Sequence, residues 1–406
     1  MDQNKMRGFA ALVLDAGLGI GKGSLLRISA EFPHRELLYV IAAEAYERGA
    51  KLVRIDYDDQ RLARVRVDHS ADPYLDELTA LVQRESEIFV QEGWSFLRLA
   101  GYEDADVMDG ANHSRLTRVQ RVRGRAVRVL REAQMASKLA WCVAPAATDA
   151  WARTVLGPSA DAEQLWKNLI PILRLDEQDP AAALRAHMRT VSDRAADMTR
   201  RGFRELRFSG PGTELRIALS PDSVWLGGGD ATPDGKPFMP NIPTEEVFTT
   251  PDFRGTEGRA SLTRPVRIHG TIVEGGTLEF KNGVVVSSSA RKGADALAAY
   301  IETDAGSHRL GEVALVDASS PIWKSGLVFD SMLLDENAAC HIALGAGYDP
   351  AFKGVDGLSE DQKERRGFNV SVGHEDVMIG SDEVSVVGVD ASGKETTVIR
   401  RGSFAI

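Results

Sequence analysis

Residues 334–345 read LDENAACHIALG, and they set Asp335, Glu336 and His341 in an otherwise apolar, small-residue context. His341 follows Glu336 by five positions, and five helical steps of about 100° put two side chains on different faces of a helix. The zinc helix HExxH needs a four-residue interval between its histidines, so this is not that motif. Two readings stay open: a helix N-terminus with acids in its first turn, or one part of a site completed from elsewhere in the chain.

The surrounding chain of 406 residues is longer than one hydrophobic core usually serves, which predicts two domains. Composition, 43% hydrophobic and 27% charged, is that of a globular protein able to bury a core. With 59 acidic and 49 basic residues the net charge is −10, which argues against polyanion binding, nucleic acid included, and suits metal ions or free amines. The arginine-dense stretch 115–131, RLTRVQRVRGRAVRVLR, has spaced valines and leucines and reads as a helix with a cationic solvent face. Cys142 and Cys340 are far apart with no paired spacing, which predicts a reducing compartment without disulfides. The first residues lack a secretory pattern and no apolar run reaches spanning length, so a soluble, cytoplasmic protein is expected, with no membrane partner.

Along the chain, 25–30 (LLRISA) reads as a strand, 35–48 as a helix closed by Gly49, and 51–57 (KLVRIDY) as a second strand. Such a strand, helix and strand make a parallel crossover unit. A helix over about 74–89 and a strand at 95–99 extend it, and a helical section follows. Asp179, Pro180 and Gly202 mark the N-cap, first turn and C-terminal stop of one helix there. After Gly202 the texture changes to short alternating strands, with Asn282-Gly283 as a hairpin signal and one helix over about 292–303. The expected fold is thus two-domain, α/β and α+β. Residues 1–202 form an N-terminal parallel-sheet α/β domain with a helical section, and 203–406 a strand-rich α+β metal-binding domain.

The loop 17–24, GLGIGKGS, fails the phosphate-loop pattern. Ala16 stands where its first glycine belongs, and Gly23 follows Lys22 where Ser or Thr must bind magnesium. It reads as a turn leading into the first strand. Metal-ligand residue types instead gather in four stretches: NIPTEEVFTTPD (241–252), HRLGEVALV (308–316), LDENAACHIALG, and NVSVGHEDVMIGS (369–381). In the last, His374 and Asp376 are two apart, which puts both on one face of a strand. Glu312 falls at the mouth of a strand after a Leu-Gly turn. Several carboxylates with two histidines and no thiolates suit two divalent ions bridged by a shared acid. Cys340 reads as a buried small residue rather than a ligand.

Taken together and in order, these four stretches resemble the aminopeptidase T and aminopeptidase S family of thermophilic-type dinuclear metalloaminopeptidases. GLGIGKGSLLRIS and AYERGAKLV are similar to the opening of that family as well. The resemblance implies a metal-dependent aminopeptidase acting on short peptides with a free N-terminus. Its metal ligands would fall on Glu246, Glu312, Glu336, His341, His374 and Asp376, with Glu312 bridging both ions, and its active-site tyrosine on Tyr348. Choosing Glu246 over Glu245 rests on the resemblance, and Glu245 reads either as the group that relays the water's proton to the leaving amine or as a plain outward-facing acid. Two divalent ions per subunit, drawn from zinc, cobalt, manganese or magnesium, are the implied cofactors. A homodimer whose N-terminal domains help to enclose the site is implied too. The charged connection 353–367 reads as a variable surface loop. Two rivals use the same ligand types: a dinuclear metal-dependent phosphoesterase and a non-catalytic metal- or peptide-binding protein. The failed glycine loop weighs against the first, and the complete ligand set with Tyr348 against the second.

Overall fold

The computed structural model describes residues 1–104, 106–268, 270–355 and 357–406. His269, beside one expected strand, and Asp356, in the expected 353–367 loop, lie outside the described residues. The chain divides into two compact units: Met1–Ala186 with Gly229–Pro243, and His187–Gly228 with Thr244–Ile406. A single cut near residue 202 therefore differs from the observed division. The helix Pro180–Arg201 runs across the change of unit, and a later segment returns to the first.

The first unit carries a four-stranded parallel sheet of β1 (Leu25–Ala30), β2 (Leu52–Tyr57), β3 (Ser95–Ala100) and β4 (Trp141–Pro145), in the order β2-β1-β3-β4. Leu26, Ile28 and Ala30 alternate into its core, as a strand period of two requires. The crossover helix is Arg35–Glu47, and Gly49 leaves it at φ +86°. The helix expected over 74–89 is divided. A 3-10 turn, Asp72–Asp76, comes first, and Thr79 then caps a new helix, Ala80–Glu92, by accepting from the Val82 N–H. The arginine stretch forms two helices, His113–Ala126 and Arg128–Met135. Its cationic face is partnered: Arg115 pairs with Asp72, Arg118 with Asp76 and Arg123 with Asp58. In the glycine loop, Ser24 Oγ accepts from the Gly21 N–H and the Gly23 N–H donates to Gly49, so the loop is a turn into β1.

The second unit has an eight-stranded sheet running, in spatial order, Val284–Ser289, Thr277–Lys281, Thr256–Ser261, Thr213–Ala218, Phe203–Gly210, Ser385–Asp390, Glu395–Arg400 and Ser403–Phe404. Asn282 and Gly283, at φ +50° and +76°, make the expected hairpin turn between the first two. A second, antiparallel sheet contains β5 (Glu246–Thr249), β6 (Leu310–Val316), β7 (His341–Gly345) and β8 (His374–Met378), in the order β8-β7-β6-β5. Leu206, Phe208, Leu215 and Ile217 of the large sheet share one buried cluster with Val247, Val313, Leu315, Ile342, Leu344 and Val377 of the small one. One face of the small sheet is therefore spent on the core.

A bulge sets what its other face presents. Leu310 pairs with Leu344, yet Glu312 pairs with Ala343, so two steps along β6 match one along β7. Leu310 thereby stays in the core cluster while Glu312 turns to the opposite face. Gly311 permits this, because a Cβ there would lie 2.1 Å from the Ala346 carbonyl oxygen. Gly311→Ala is expected to cost about 1–3 kcal/mol of stability, the usual range for forced overpacking, as read by chemical denaturation against wild type.

Candidate metal centre

In antiparallel pairs, directly opposed residues share a face. Ala314 opposes His341, which opposes Met378, while Glu312 opposes Ala343, which opposes Asp376. Gly345 opposes His374, and Glu246 opposes Val316 on β5. Glu246, Glu312, His341, His374 and Asp376 consequently project from one face, and Ala314, Ala343 and Gly345 leave room between them. The same alternation that buries Val313, Leu315, Ile342 and Leu344 behind the sheet gathers the polar residues in front.

Two overlapping groups result: Glu246, Glu312 and His341, and Glu312, His374 and Asp376, each with its ligand atoms within 4.8 Å of one another. His341 Nε2 lies 3.2 Å from Glu246 Oε2, 3.6 Å from Glu312 Oε1 and 3.9 Å from Asp376 Oδ1. His374 Nε2 lies 3.4 Å from Asp376 Oδ1 and 3.8 Å from Glu312 Oε2. Two ligands about 2.1 Å from one tetrahedral divalent ion stand about 3.4 Å apart. The observed spacings scatter around that edge, and most exceed ordinary hydrogen-bond length.

Three further observations fit a cation. Glu246 Oε2 and Asp376 Oδ1 are buried without a hydrogen bond, which is costly unless something else satisfies them. His341 Nδ1 contacts the Ala339 carbonyl at 3.1 Å, and His374 Nδ1 contacts that of Ala346 at 2.8 Å. A carbonyl only accepts, so a proton sits on Nδ1 of each ring, and loss of the other proton would free an Nε2 lone pair on the side of the carboxylates for a cation. Burial, with Asp376 and Glu246 adding repulsion, pushes the Glu312 carboxyl up. For Glu336 burial comes first and Glu246 next, raising it well above the usual carboxylate range. Burial alone would lower both imidazoles, yet Glu246 and Glu312 lift His341 well up, and Asp376 with Glu312 lifts His374 to about 10.

The remaining expected residues lie at the margins. Glu336 joins neither group; its charge faces Glu246 and Asp376, while its Oε1 accepts from Asn337 Nδ2 at 3.3 Å. Glu245 is buried with Oε2 3.1 Å from His187 Nε2. Tyr348 is half-buried, its ring 5.7 Å from that of Phe248 on β5, with its N–H donating to Thr250 Oγ1. Cys340 is buried and exchanges contacts with the Val316 main chain. Asp335 accepts from the Phe329 and Ser331 N–H groups, so its role is structural. Sequence reasoning passed over His187 and Asn337. Asn337 had a signal, since it adjoins Glu336; His187 had none, lying 58 positions before Glu245.

The fold and this centre define a mixed α/β protein whose carboxylates and imidazoles are placed to hold a divalent metal. The family model described as thermophilic metalloprotease (M29) matches residues 2–404, and the chain belongs to that family. The chain is 36% identical to Aminopeptidase T of Thermus thermophilus, covering 100% of this chain and 99% of that one. It is 37% identical to Aminopeptidase T of Thermus aquaticus, with coverage of 98% and 97%. Aminopeptidase AmpS of Bacillus subtilis is 33% identical, with coverage of 99% and 98%. A solved structure, wild-type AmpT from Thermus thermophilus, superposes with a TM-score of 0.92 at 35% identity, covering both chains in full. Among the described residues, no helix is long and apolar enough to cross a membrane.

The raised imidazoles set a direction for metal uptake. Coordination through Nε2 requires that His341 and His374 give up their second protons. Metal binding at neutral pH should therefore release protons, and apparent affinity should weaken as pH falls. Calorimetric titration of the metal-free protein in buffers of differing ionisation enthalpy checks both.

Proposed function

We propose that the chain is a metal-dependent aminopeptidase that cleaves the N-terminal peptide bond of short peptides with the help of two divalent ions. The carrying observation is that Glu312 belongs to both ligand groups, one oxygen toward His341 and the other toward His374. Charge supports the number: Glu246, Glu312, Glu336 and Asp376 sum to −4 when ionised, the value two divalent cations neutralise. These four acids with His341 and His374 would hold the ions, and a carboxylate and imidazole set without thiolates suits zinc, cobalt, manganese or magnesium.

Bound ions of this kind lower the pKa of a water toward neutrality and polarise the scissile carbonyl. The protein supplies the rest. Glu245, adjacent to Glu246, takes the proton of the attacking water and returns it to the leaving amine. Tyr348, whose phenol has a proton to donate, stabilises the developing oxyanion. The substrate's free α-amine meets the acidic face, which explains removal of one residue at a time. The same reading includes a cytoplasmic homodimer, in which the unit Met1–Ala186 with Gly229–Pro243 restricts access to short peptides and the unit His187–Gly228 with Thr244–Ile406 carries the catalysis.

Metal-loaded protein should hydrolyse aminoacyl p-nitroanilides and leave aryl phosphates intact; the reverse pattern would favour a phosphoesterase. Tyr348→Phe should lower kcat by about 10²-fold, as loss of an oxyanion donor does, with metal content unchanged by elemental analysis. Glu312→Gln should lose two-metal occupancy and turnover together in the same pair of measurements.

A further inference from the structure

One half-buried contact beside the centre has no part in those steps. His187, on the helix Pro180–Arg201, holds Nε2 3.1 Å from Glu245 Oε2 and 3.1 Å from the Thr244 carbonyl oxygen. Carboxylate and carbonyl only accept, so the ring proton sits on Nε2. The main-chain N–H of Glu245 donates to Asn337 Oδ1 at 2.7 Å. Asn337 is itself fixed, because its Nδ2 donates to the Leu333 carbonyl at 3.1 Å and its own carbonyl accepts from Ser320 Oγ at 3.0 Å. Glu245 is thus gripped at both ends, its backbone by Asn337 and its carboxylate by His187.

We propose that His187 is a positioning residue for Glu245, fixing the orientation of that carboxylate beside the metal ligand Glu246. The inference rests on the reading of Glu245 as the group that carries the proton in peptide hydrolysis. A glutamate has three side-chain torsions, and leaving them unrestrained forfeits the advantage of a preset geometry. In the hydrolytic step an O–H bond of water breaks, its proton moves to Glu245, and the oxygen forms a new C–O bond while the carbonyl π pair moves onto the carbonyl oxygen. As that oxygen's pair re-forms the C=O bond, the C–N bond breaks, its electron pair leaves on nitrogen, the proton passes from Glu245 to that nitrogen, and the carboxylate is restored. His187 keeps its Nε2 proton throughout.

The experiment compares metal-loaded wild type, His187→Leu, His187→Gln, Glu245→Gln and the His187→Leu/Glu245→Gln double variant on a panel of aminoacyl p-nitroanilides. His187→Leu should lower kcat about 10- to 100-fold, the usual effect of removing an outer partner of a metal site, with KM and metal content within about twofold. His187→Gln, whose amide can still donate, should recover most of the loss. Glu245→Gln should lower kcat by at least about 10²-fold, and adding His187→Leu to it should change nothing further, because the two act as one unit. Wild-type turnover in His187→Leu or Glu245→Gln, equal loss in Leu and Gln variants, loss of metal, or an additive double variant would overturn the positioning role. A metal-loaded wild type inactive on every substrate would instead sink the aminopeptidase reading.

Discussion

Strand register across the small antiparallel sheet is the constraint on which the centre depends. A slip of one residue would carry every ligand on a strand to the core face and bring apolar side chains forward. Register is held from behind by Val313, Leu315, Ile342, Leu344 and Val377, all fully buried in one cluster. The hydrophobic effect thereby does the aiming: burial of the alternate residues decides where the acids and imidazoles point. Gly311 adds a single phase change, without which Leu310 and Glu312 would share a face and one of them would be misplaced.

The front face is expensive in the absence of a cation. Four carboxylates approach one another in a poorly solvated setting, and Glu312 and Glu336 respond by resisting ionisation. His341 and His374 respond in the opposite sense, holding protons that partly neutralise the acids. Asp376 stays low despite burial, because both imidazoles lie beside it. The protein has therefore arranged acids and bases whose preferences diverge, and such divergence is a mark of functional sites rather than of stable cores.

Much of this was legible in the sequence where neighbours on one strand share a task. His374 and Asp376 declare their common face by a spacing of two, and Glu312 is announced by the glycine before it. The interval between Glu336 and His341 was opaque because it spans a change of structure: helix Met332–Asp335, a 3-10 turn Glu336–Ala338, then strand His341–Gly345. No single periodicity governs residues in three conformations. A parallel sheet first and a strand-rich α+β region later followed from texture alone; the antiparallel pairing of those later strands comes from the structure. Division into units did not, since Gly229–Pro243 rejoins the first unit through tertiary contacts that leave no local pattern. Thr79 likewise reset a helix that apolar spacing alone ran together with the turn before it.

Asn337 shows why the acids flanking the centre cannot be understood singly. Its amide has one accepting and one donating end, and the two are used on different segments: Oδ1 takes the Glu245 N–H, while Nδ2 gives to Glu336 Oε1 and the Leu333 carbonyl. An aspartate of the same shape could serve Glu245 but would face Glu336 with a second anion, and a leucine would serve neither. The residue thus couples the start of β5 to the 3-10 turn, so that Glu246, which follows Glu245, and Glu336, which precedes Asn337, keep a fixed relation although 90 positions separate them. A centre assembled from four distant stretches needs such cross-ties, because strand register alone positions only the residues that lie on strands.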